Sequence, residues 1–252
     1  MLDFFKRKRK AYAKTIKLHK NHKTKMIAHR GLSGILLENT VPAFELAGKS
    51  TYFGIETDVH ITADSKFVVF HDDNTARICN EKYKIEQTDF DTLRNLNLND
   101  LKTGKPNPEL KIPTLDEYLS VCKKYDKVCV LELKNPFRKQ DVEKLVTVIK
   151  TFNYIDKLIF ISFNLDNLIF LRELLPNQPL MYLTGDFNDK ILEQLKKYGL
   201  DLDIEYSALT KSIIEKLHAE GILINAWTCD NLVSAKKLIS WGIDYLTTNI
   251  LE

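Results

Sequence analysis

The sequence predicts an α/β fold, a (β/α)₈ TIM barrel with a small insertion after the second strand. Eight short apolar runs alternate with longer stretches in which Leu and Ile recur every three or four residues, which is helical spacing. Polar residues follow many of these runs, spread around the whole strand count, as expected where one barrel mouth gathers several strand ends. A doubly wound open sheet, whose chemistry lies where the strand order reverses, is the alternative.

The predicted strands are short runs rich in apolar and β-branched residues, a pattern typical of strands buried in a parallel sheet. In chain order they span 26–29, 54–59, 128–134, 158–163, 180–184, 202–206, 222–227 and 244–248. Amphipathic stretches of helical period lie between most of them. These stretches span 40–49, 114–125, 139–152, 165–175, 188–198, 209–221 and 231–242.

The interval after the second strand departs from this alternation. The segment KFVVFHDD follows a turn at 63–65 and predicts a second strand that forms a hairpin with the first. Residues 73–112 then lack a clean period and contain the turn-rich segment KTGKPNPE. Long insertions in compact domains are usually functional or disordered. We therefore assign 73–112 as an insertion within a barrel of residues 26–252.

Composition supports a globular protein with a large core, because 44% of the residues are hydrophobic. No apolar stretch is long enough to predict a transmembrane helix, and the N-terminus lacks the apolar segment of a secretory signal. Cys79, Cys122, Cys129 and Cys229 match no zinc-binding spacing. We expect buried thiols in a reducing cytosol rather than disulfides, and hence a cytoplasmic location, with peripheral membrane contact left open.

Residues 1–25 form a separate basic segment. They hold ten Lys or Arg residues against one acid, Asp3, which is a net charge of +9 in a chain whose total is +3. A solvated basic helix or arm packed on the barrel is the favoured interpretation. Because Leu2, Phe4 and Phe5 precede the basic run, contact with an anionic membrane is the second interpretation. Binding to nucleic acid is the least favoured.

Three carboxylates predict a metal site at the barrel mouth. Glu56 and Asp58 are separated by one residue in a strand, so both point to the same face. Two neighbouring carboxylates repel each other unless a cation lies between them or one is protonated. Glu132, at the end of the third strand, can add a third oxygen ligand, and an all-oxygen set suits Mg²⁺ or Ca²⁺. Ion pairing of Glu132 with Lys134 is the structural alternative.

Two histidines lie near these acids at strand ends. His29 ends the first strand and His71 ends the predicted hairpin, and imidazole titrates near neutral pH, so the two fit an acid–base pair. Arg30 follows His29, and its planar fork suits a phosphate oxygen. The chain has no GxSxG, Walker or GxGxxG motif, so acyl transfer and a nucleotide cofactor are not indicated. Phosphoryl chemistry is the favoured reaction class.

Eight motifs, in order and spacing, resemble the glycerophosphodiester phosphodiesterase family over about nine-tenths of the chain. They are HRG (29–31), ENT followed by AF (38–44), GIETDV (54–59), VVFHD (68–72), IPTLDEYL (112–119), LELK (131–134), SFN (162–164) and AWTCDN (226–231). The resemblance implies a TIM barrel with a small insertion, a divalent cation, and hydrolysis of glycerophosphodiesters to glycerol 3-phosphate and an alcohol. It implies a small-molecule substrate and makes nucleic acid an unlikely partner.

The resemblance also implies roles for individual residues. His29 and His71 correspond to the catalytic acid–base pair; Glu56, Asp58 and Glu132 to the metal ligands; Arg30 and Lys134 to phosphate contacts; Trp227 to the aromatic side chain on the glycerol side; and Asn39 and Asp72 to supporting residues. One histidine would take the proton of a neighbouring glycerol hydroxyl, and the other would protonate the leaving alcohol. A cyclic phosphate opened by water, or direct attack by water, would complete the reaction.

Two alternatives to a small-diester hydrolase stay open. The first is a phospholipase D-like enzyme that acts on lysophospholipid or sphingomyelin at a membrane, favoured by the basic segment with Phe4 and Phe5 and by the apolar loop at 35–37 near the predicted mouth. The second is a catalytically silent binding barrel, which has no need of five intact site residues. The sequence does not identify the leaving alcohol, the preferred cation or the oligomeric state.

Overall fold

Eight parallel strands close into a barrel in the computed structural model, which describes residues 12–18 and 22–252. The barrel strands are β1 Lys25–Ala28, β2 Gly54–Ile61, β4 Val128–Leu133, β5 Leu158–Ser162, β6 Leu180–Thr184, β7 Asp201–Glu205, β8 Ile224–Trp227 and β9 Tyr245–Thr248. Their order is β1-β9-β8-β7-β6-β5-β4-β2, and pairing of β1 with β2 closes the ring. The TIM-barrel prediction is confirmed, and the closure excludes the open sheet.

Helices connect the strands on the outside of the barrel. They are α1 Val41–Gly48, α2 Phe90–Asn95, α3 Leu115–Lys124, α4 Lys139–Thr151, α5 Leu165–Leu174, α6 Asp189–Tyr198, α7 Lys211–Ala219 and α8 Leu232–Ser240. Local chemistry sets several of their ends. Thr114 and Glu117 form a reciprocal capping box at the start of α3, and Gly199 adopts a left-handed conformation after the last residue of α6. All seven helical stretches expected from periodicity are present.

The barrel core has two layers because alternate residues of each strand face opposite sides. The larger layer lies between strands and helices and includes the outward-facing side chains of β2 and β4, such as Ile55 and Leu131. The smaller layer fills the barrel interior and consists of Ile27, Val130, Ile159, Ile161, Met181, Leu183 and Tyr245. Further along the same inward faces, toward the C-terminal strand ends, polar side chains replace these apolar ones.

The insertion after β2 has a small core of its own. Strand β3 (Phe67–Val69) turns back and pairs antiparallel with β2, with Val69 opposite Val59. Residues 75–77 and 85–87 form 3₁₀ turns, and α2 follows. The buried residues of this second core are Leu37, Val68, Phe70, Ile78, Cys79, Ile85, Leu93, Leu96, Leu98, Leu110 and Ile112. The segment expected at 73–112 is therefore a packed unit attached to one side of the barrel.

Part of the N-terminal segment is attached to the end of the chain. Ile16 forms a parallel bridge with Leu251, and the backbone N–H of Leu18 donates to the carbonyl of Glu252 at 2.6 Å. The Lys17 ammonium lies 2.8 Å from the Glu252 carboxylate. Residues 1–11 and 19–21, which carry the aromatic pair and most of the basic run invoked for membrane contact, lie outside the described residues.

Two expectations from composition can be compared with the described residues. All four cysteines are buried free thiols, as predicted. Within 12–18 and 22–252, no helix combines the length and the apolar character needed to cross a bilayer.

Close packing of α1 against α3 gives a stability prediction at Gly48. A Cβ atom there would lie 2.3 Å from the Tyr125 ring, which is fixed because its hydroxyl donates to Glu45. We expect Gly48→Ala to lower the free energy of unfolding by about 1–3 kcal/mol, because overpacking forces the ring to move. Urea unfolding followed by circular dichroism measures the loss.

Gly185→Ala is the matched control for this substitution. A Cβ at Gly185 would meet no atom within 4 Å among the described residues. We expect its free energy of unfolding to stay within about 0.5 kcal/mol of the starting protein. Equal losses in the two variants would contradict the packing explanation.

Candidate active site

A left-handed turn follows β1 and shapes one side of the barrel mouth. Arg30 and Gly31 both have positive φ angles, +54° and +73°. A Cβ on Gly31 would lie 2.8 Å from the backbone of Ala43 in α1, so this position requires glycine. Arg30 accepts the less favourable conformation, and its backbone N–H donates to Glu56 Oε2 at 2.8 Å. The turn thus ties the end of β1 to a carboxylate on β2.

The Arg30 side chain is held between two acids at this mouth. Its Nη1 donates to Glu38 Oε1 at 2.8 Å, and its Nε lies 3.5 Å from Asp58 Oδ2. Only 13% of the side chain is exposed. Glu38, which sequence reasoning did not single out, therefore fixes the orientation of the guanidinium.

Glu56, Asp58 and Glu132 form a buried carboxylate cluster. One oxygen from each lies within 4.8 Å of the others, as the parallel pairing of Asp58 with Glu132 across β2 and β4 requires. Asn39 donates to Asp58 Oδ2 at 2.7 Å. Asp58 Oδ1 and Glu132 Oε1 are buried and receive no hydrogen bond from the described residues. The Lys134 ammonium forms ion pairs with these two oxygens, 2.8 Å from Glu132 Oε1 and 3.4 Å from Asp58 Oδ1.

Burial and like charge favour the protonated forms of two acids in the cluster. Burial and the charge of Asp58 raise the pKa of Glu132 to about 7 and the pKa of Glu56 well above its usual value. Burial also opposes ionisation of Asp58, but the cations Lys134 and Arg30 outweigh it and hold the pKa of Asp58 far below the usual range. Oxygens that are buried, close together and incompletely bonded fit a hard divalent cation, which would displace these protons.

The hairpin strand β3 delivers His71 to this cluster. The N–H of Phe70 donates to the carbonyl of Asp58 at 3.1 Å, and the antiparallel register carries the next residue past Asp58 toward Glu56. His71 Nδ1 lies 2.6 Å from Asp72 Oδ1, so Nδ1 carries a proton and Nε2 keeps its lone pair. Burial lowers the pKa of His71, against the charge of Asp58 and the hydrogen bond to Asp72, so the ring is neutral at neutral pH.

His29 is held by a neutral amide instead of a carboxylate. Its Nδ1 lies 2.8 Å from Asn249 Oδ1, which also accepts from Ser33 Oγ at 2.6 Å. The Asn249 Nδ2 group donates to Asp230 Oδ2 at 2.6 Å, which fixes the direction of the amide. His29 Nδ1 is therefore a donor, and its Nε2 lies 4.0 Å from Glu56 Oε2. Neither Asn249 nor Asp230 was expected at the site.

The predicted residues surround one cavity of about 90 Å³ at the C-terminal ends of the strands. Seven of them line it: His29, Arg30, Glu56, His71, Glu132, Lys134 and Trp227. Asp58, Asn39 and Asp72 lie behind them and bond to them. The opposite wall is apolar, with Ile161 and Leu183 beneath an edge-to-face pair of Phe163 and Trp227 whose ring centroids are 5.6 Å apart.

Asp203 on β7 also lines this cavity and was missed from the sequence. It accepts a hydrogen bond from Asn225 Nδ2 at 2.8 Å, and burial raises the pKa of Asp203 well above its usual value. β7 carries acids at three alternate positions, Asp201, Asp203 and Glu205, and this run of acids on one face of a strand is the signal that could have identified it.

Two other features bear on where the chemistry lies. The apolar loop at 35–37, expected near the pocket, is absent from the described lining of the cavity, and Leu37 packs instead in the core of the insertion.

A larger cavity of about 570 Å³ lies at the N-terminal ends of the strands. The described residues that line it include no histidine and no group of three acids, so the smaller cavity is the candidate active site.

A sequence model of the glycerophosphoryl diester phosphodiesterase family matches residues 29–252. The chain is 30% identical over 235 residues to a glycerophosphodiester phosphodiesterase of Bacillus altitudinis, covering 90% of this chain and 94% of the relative. It is 28% identical over 242 residues to a glycerophosphodiester phosphodiesterase of Bacillus subtilis, covering 88% and 82%.

Solved structures show the same architecture. A phosphodiesterase of Oleispira antarctica, solved in complex with the product sn-glycerol-3-phosphate, superposes with a TM-score of 0.83 at 28% identity, covering 89% of this chain and 92% of that one. A glycerophosphodiester phosphodiesterase of Parabacteroides distasonis gives a TM-score of 0.77 at 28% identity, covering 90% and 93%.

The raised pKa of Glu132 predicts how stability depends on pH when divalent cations are removed. Between its ordinary value of 4.5 and about 7, the folded protein binds more protons at Glu132 than the unfolded chain. The contribution of Glu132 therefore makes unfolding easier as pH rises through this window. We expect the stability of Glu132→Gln relative to the unsubstituted protein to increase between pH 5 and pH 8 by roughly 1–3 kcal/mol.

Urea unfolding of both proteins in a chelator, at several pH values, measures this difference. His71, whose lowered pKa acts in the opposite direction, is present in both proteins. Loss of the Glu132 charge also lets the raised pKa values of Glu56 and Asp203 fall, and this adds to the expected difference in the same direction. If the difference in unfolding free energy between the two proteins stayed constant with pH, the raised pKa of Glu132 would be contradicted.

Proposed function

The chain belongs to the glycerophosphoryl diester phosphodiesterase family, and we propose that it is a divalent-cation-dependent enzyme that hydrolyses glycerophosphodiesters to glycerol 3-phosphate and an alcohol. The observation that carries this proposal is the single small cavity in which three carboxylates, two histidines and Arg30 converge. The product named for the Oleispira structure, sn-glycerol-3-phosphate, is the product expected of this reaction.

Glu56, Asp58 and Glu132 would hold the cation, Mg²⁺ or Ca²⁺. Their buried, incompletely bonded oxygens support this assignment. When bound, the ion supplies positive charge that polarises a phosphoryl oxygen and stabilises charge that develops there.

The cations of the protein would bind the phosphodiester. Arg30 presents a guanidinium beside the cluster, and Lys134 presents an ammonium whose pKa is raised, because the charges of Asp58 and Glu132 outweigh the effect of burial. Both remain charged over the physiological pH range and neutralise the phosphate. Trp227 and the apolar wall beside it would contact the carbon skeleton of the glycerol.

The histidines would move the protons. His71, neutral and with Nε2 unprotonated, accepts the proton of the glycerol hydroxyl next to the phosphate. That oxygen forms a bond to phosphorus while the bond from phosphorus to the alcohol oxygen breaks. His29 Nδ1 already donates to Asn249, so the ring must enter the reaction as an imidazolium, and its Nε2 then gives a proton to the departing alcohol and leaves the ring neutral. In a second step the two histidines reverse their roles, and water opens the cyclic phosphate to glycerol 3-phosphate. The alternative is direct attack of water on the phosphorus of the diester, without a cyclic phosphate.

One observation keeps lysophospholipid as the second candidate substrate. Phe163 is 47% exposed on the cavity rim, where an acyl chain could lie against the edge-to-face aromatic pair. The apolar loop at 35–37 gives no support, since Leu37 is buried elsewhere. A catalytically silent barrel is disfavoured, because five reactive side chains lie together, four of them buried, at a cost in electrostatic repulsion.

A metal-dependence assay over a substrate panel tests class, cofactor and substrate together. We expect glycerol 3-phosphate release from glycerophosphocholine, loss of that release in a chelator, and its return with Mg²⁺ or Ca²⁺. Greater turnover of lysophosphatidylcholine would favour the membrane substrate. Release that survives complete chelation would exclude the cation role, and the absence of release from every substrate would reject the enzyme.

Replacement of either cavity histidine tests the proton transfers. We expect His29→Ala and His71→Ala each to lower kcat by roughly 10²–10⁴-fold. His218→Ala is the matched control, because His218 also pairs with a carboxylate, Asp244 at 2.8 Å, but lies on α7 outside the cavity lining. Turnover by His29→Ala or His71→Ala close to that of His218→Ala would reject the assignment.

A further inference from the structure

We propose that Arg77, a residue of the insertion, is a positioning residue that holds His71 and Arg30 in place by binding two carboxylates at once. The inference rests on the proposed function, since it concerns how the acid–base and phosphate-binding side chains of that site are oriented. Arg77 does not line the described part of the cavity. It would act through Asp72 on one side and Glu38 on the other.

On one side Arg77 binds the carboxylate that orients His71. Arg77 Nε donates to Asp72 Oδ2 at 2.7 Å, and Nη2 donates to Asp72 Oδ1 at 3.1 Å. The same Oδ1 lies 2.6 Å from His71 Nδ1. Hydrogen bonds from His71 and Arg77 outweigh burial and lower the pKa of Asp72 to about 2, so this carboxylate stays ionised. Its orientation is fixed by two points of contact with the guanidinium.

On the other side Arg77 binds the carboxylate that orients Arg30. Arg77 Nη1 donates to Glu38 Oε2 at 3.0 Å, and Nη2 donates to Glu38 Oε1 at 2.7 Å. Glu38 Oε1 also accepts from Arg30 Nη1 at 2.8 Å. The Glu38 side chain is only 4% exposed, so its charge depends on neighbouring cations. One planar group thus links His71, on the hairpin, to Arg30, on the turn after β1.

The insertion gives Arg77 a rigid support. Arg77 ends a 3₁₀ turn whose first residue, Thr75, is fully buried and whose preceding residue, Asn74, caps the turn by accepting from Ala76 N–H. Lysine could not replace the guanidinium here, because an ammonium is a point charge without the planar fork that serves two carboxylates. The insertion therefore delivers a group that the strand ends of the barrel do not themselves present.

Arg94 supplies a matched control within the same insertion. It makes a bidentate pair with Glu117 at 2.9 and 2.6 Å, and its side chain is 33% exposed, against 34% for Arg77. Neither Arg94 nor Glu117 is among the described residues that line the cavity. Both arginines attach the insertion to the barrel. Of the two, it is Arg77 whose carboxylate partners also bind His71 and Arg30.

The test compares full-length Arg77→Ala, Arg77→Lys and Arg94→Ala for unfolding and for turnover of glycerophosphocholine with added Mg²⁺. We expect Arg77→Ala to lower kcat/KM about 10²-fold, through a lower kcat and a higher KM, since small misplacements of reacting groups cost that much. Arg77→Lys should recover only part of this loss. Arg94→Ala should stay within about threefold of the unsubstituted enzyme while losing similar stability.

Two further measurements separate positioning from a merely structural role. Added guanidinium ion at low millimolar concentration should restore part of the activity of Arg77→Ala, and ammonium should not. Nitrogen-15 histidine spectra, with His71→Ala for assignment, should show the Nδ1-protonated tautomer of His71 in the unsubstituted protein and in Arg94→Ala, but a mixture in Arg77→Ala.

The outcomes distinguish this inference from the function on which it rests. No turnover by the unsubstituted protein would reject the proposed function, while the histidine spectra would still test the link from Arg77 to His71. Equal activities of folded Arg77→Ala and Arg94→Ala, or an unchanged His71 tautomer, would overturn the inference. If Arg77→Ala does not fold, the same comparisons are made with Arg77→Lys. The inference would then be overturned if Arg77→Lys had both the turnover and the His71 tautomer of the unsubstituted enzyme.

Discussion

Mutual repulsion of three buried carboxylates is the constraint around which the active-site end of this barrel is organised. Parallel pairing of β2 with β4 sets Asp58 opposite Glu132, and the two-residue repeat of β2 adds Glu56 on the same face. Burial strengthens the repulsion between like charges because the interior screens them poorly. Lys134 and Arg30 offset part of this negative charge, and the raised pKa values of Glu56 and Glu132 favour protonation, which removes more of it. A bound cation would neutralise the rest.

The two histidines differ in the group that holds them, and this difference gives the proposed chemistry a direction. Asp72 is ionised and accepts from His71, whereas Asn249 is neutral and accepts from His29. A carboxylate stabilises the imidazolium that forms when a ring accepts a proton, and an amide does so less. His71 is thus the better base, which agrees with its assignment as the residue that takes the hydroxyl proton.

Much of the fold and the central site could be predicted from sequence because both depend on short-range patterns. Eight apolar runs gave eight strands, and an i,i+2 pair of acids within a strand must share a face. Asn249 and Arg77 escaped prediction because their partners His29 and Glu38 lie 220 and 39 residues away, and ordinary Asn and Arg residues carry no local signal of such contacts. Glu38 lies in the ENT motif, but that motif alone gives no sign that its carboxylate would bind both Arg30 and Arg77. The insertion had no clean period because its core consists of scattered apolar residues from short turns rather than one long amphipathic element.

The insertion after β2 places a histidine at a position that the strand ends of the closed barrel do not reach. Strand ends present side chains at the rim of the mouth, and in this chain they supply the acids and His29. In the proposed mechanism the base approaches the phosphate from another direction, and it comes from chain that leaves the sheet and returns toward the mouth. The antiparallel pairing of β3 with β2 achieves this return, and the packed core that follows fixes the hairpin so that His71 has one orientation. If His71 acts as proposed, a loop without that core would lose entropy on each encounter with substrate, and a packed unit after β2 avoids that cost.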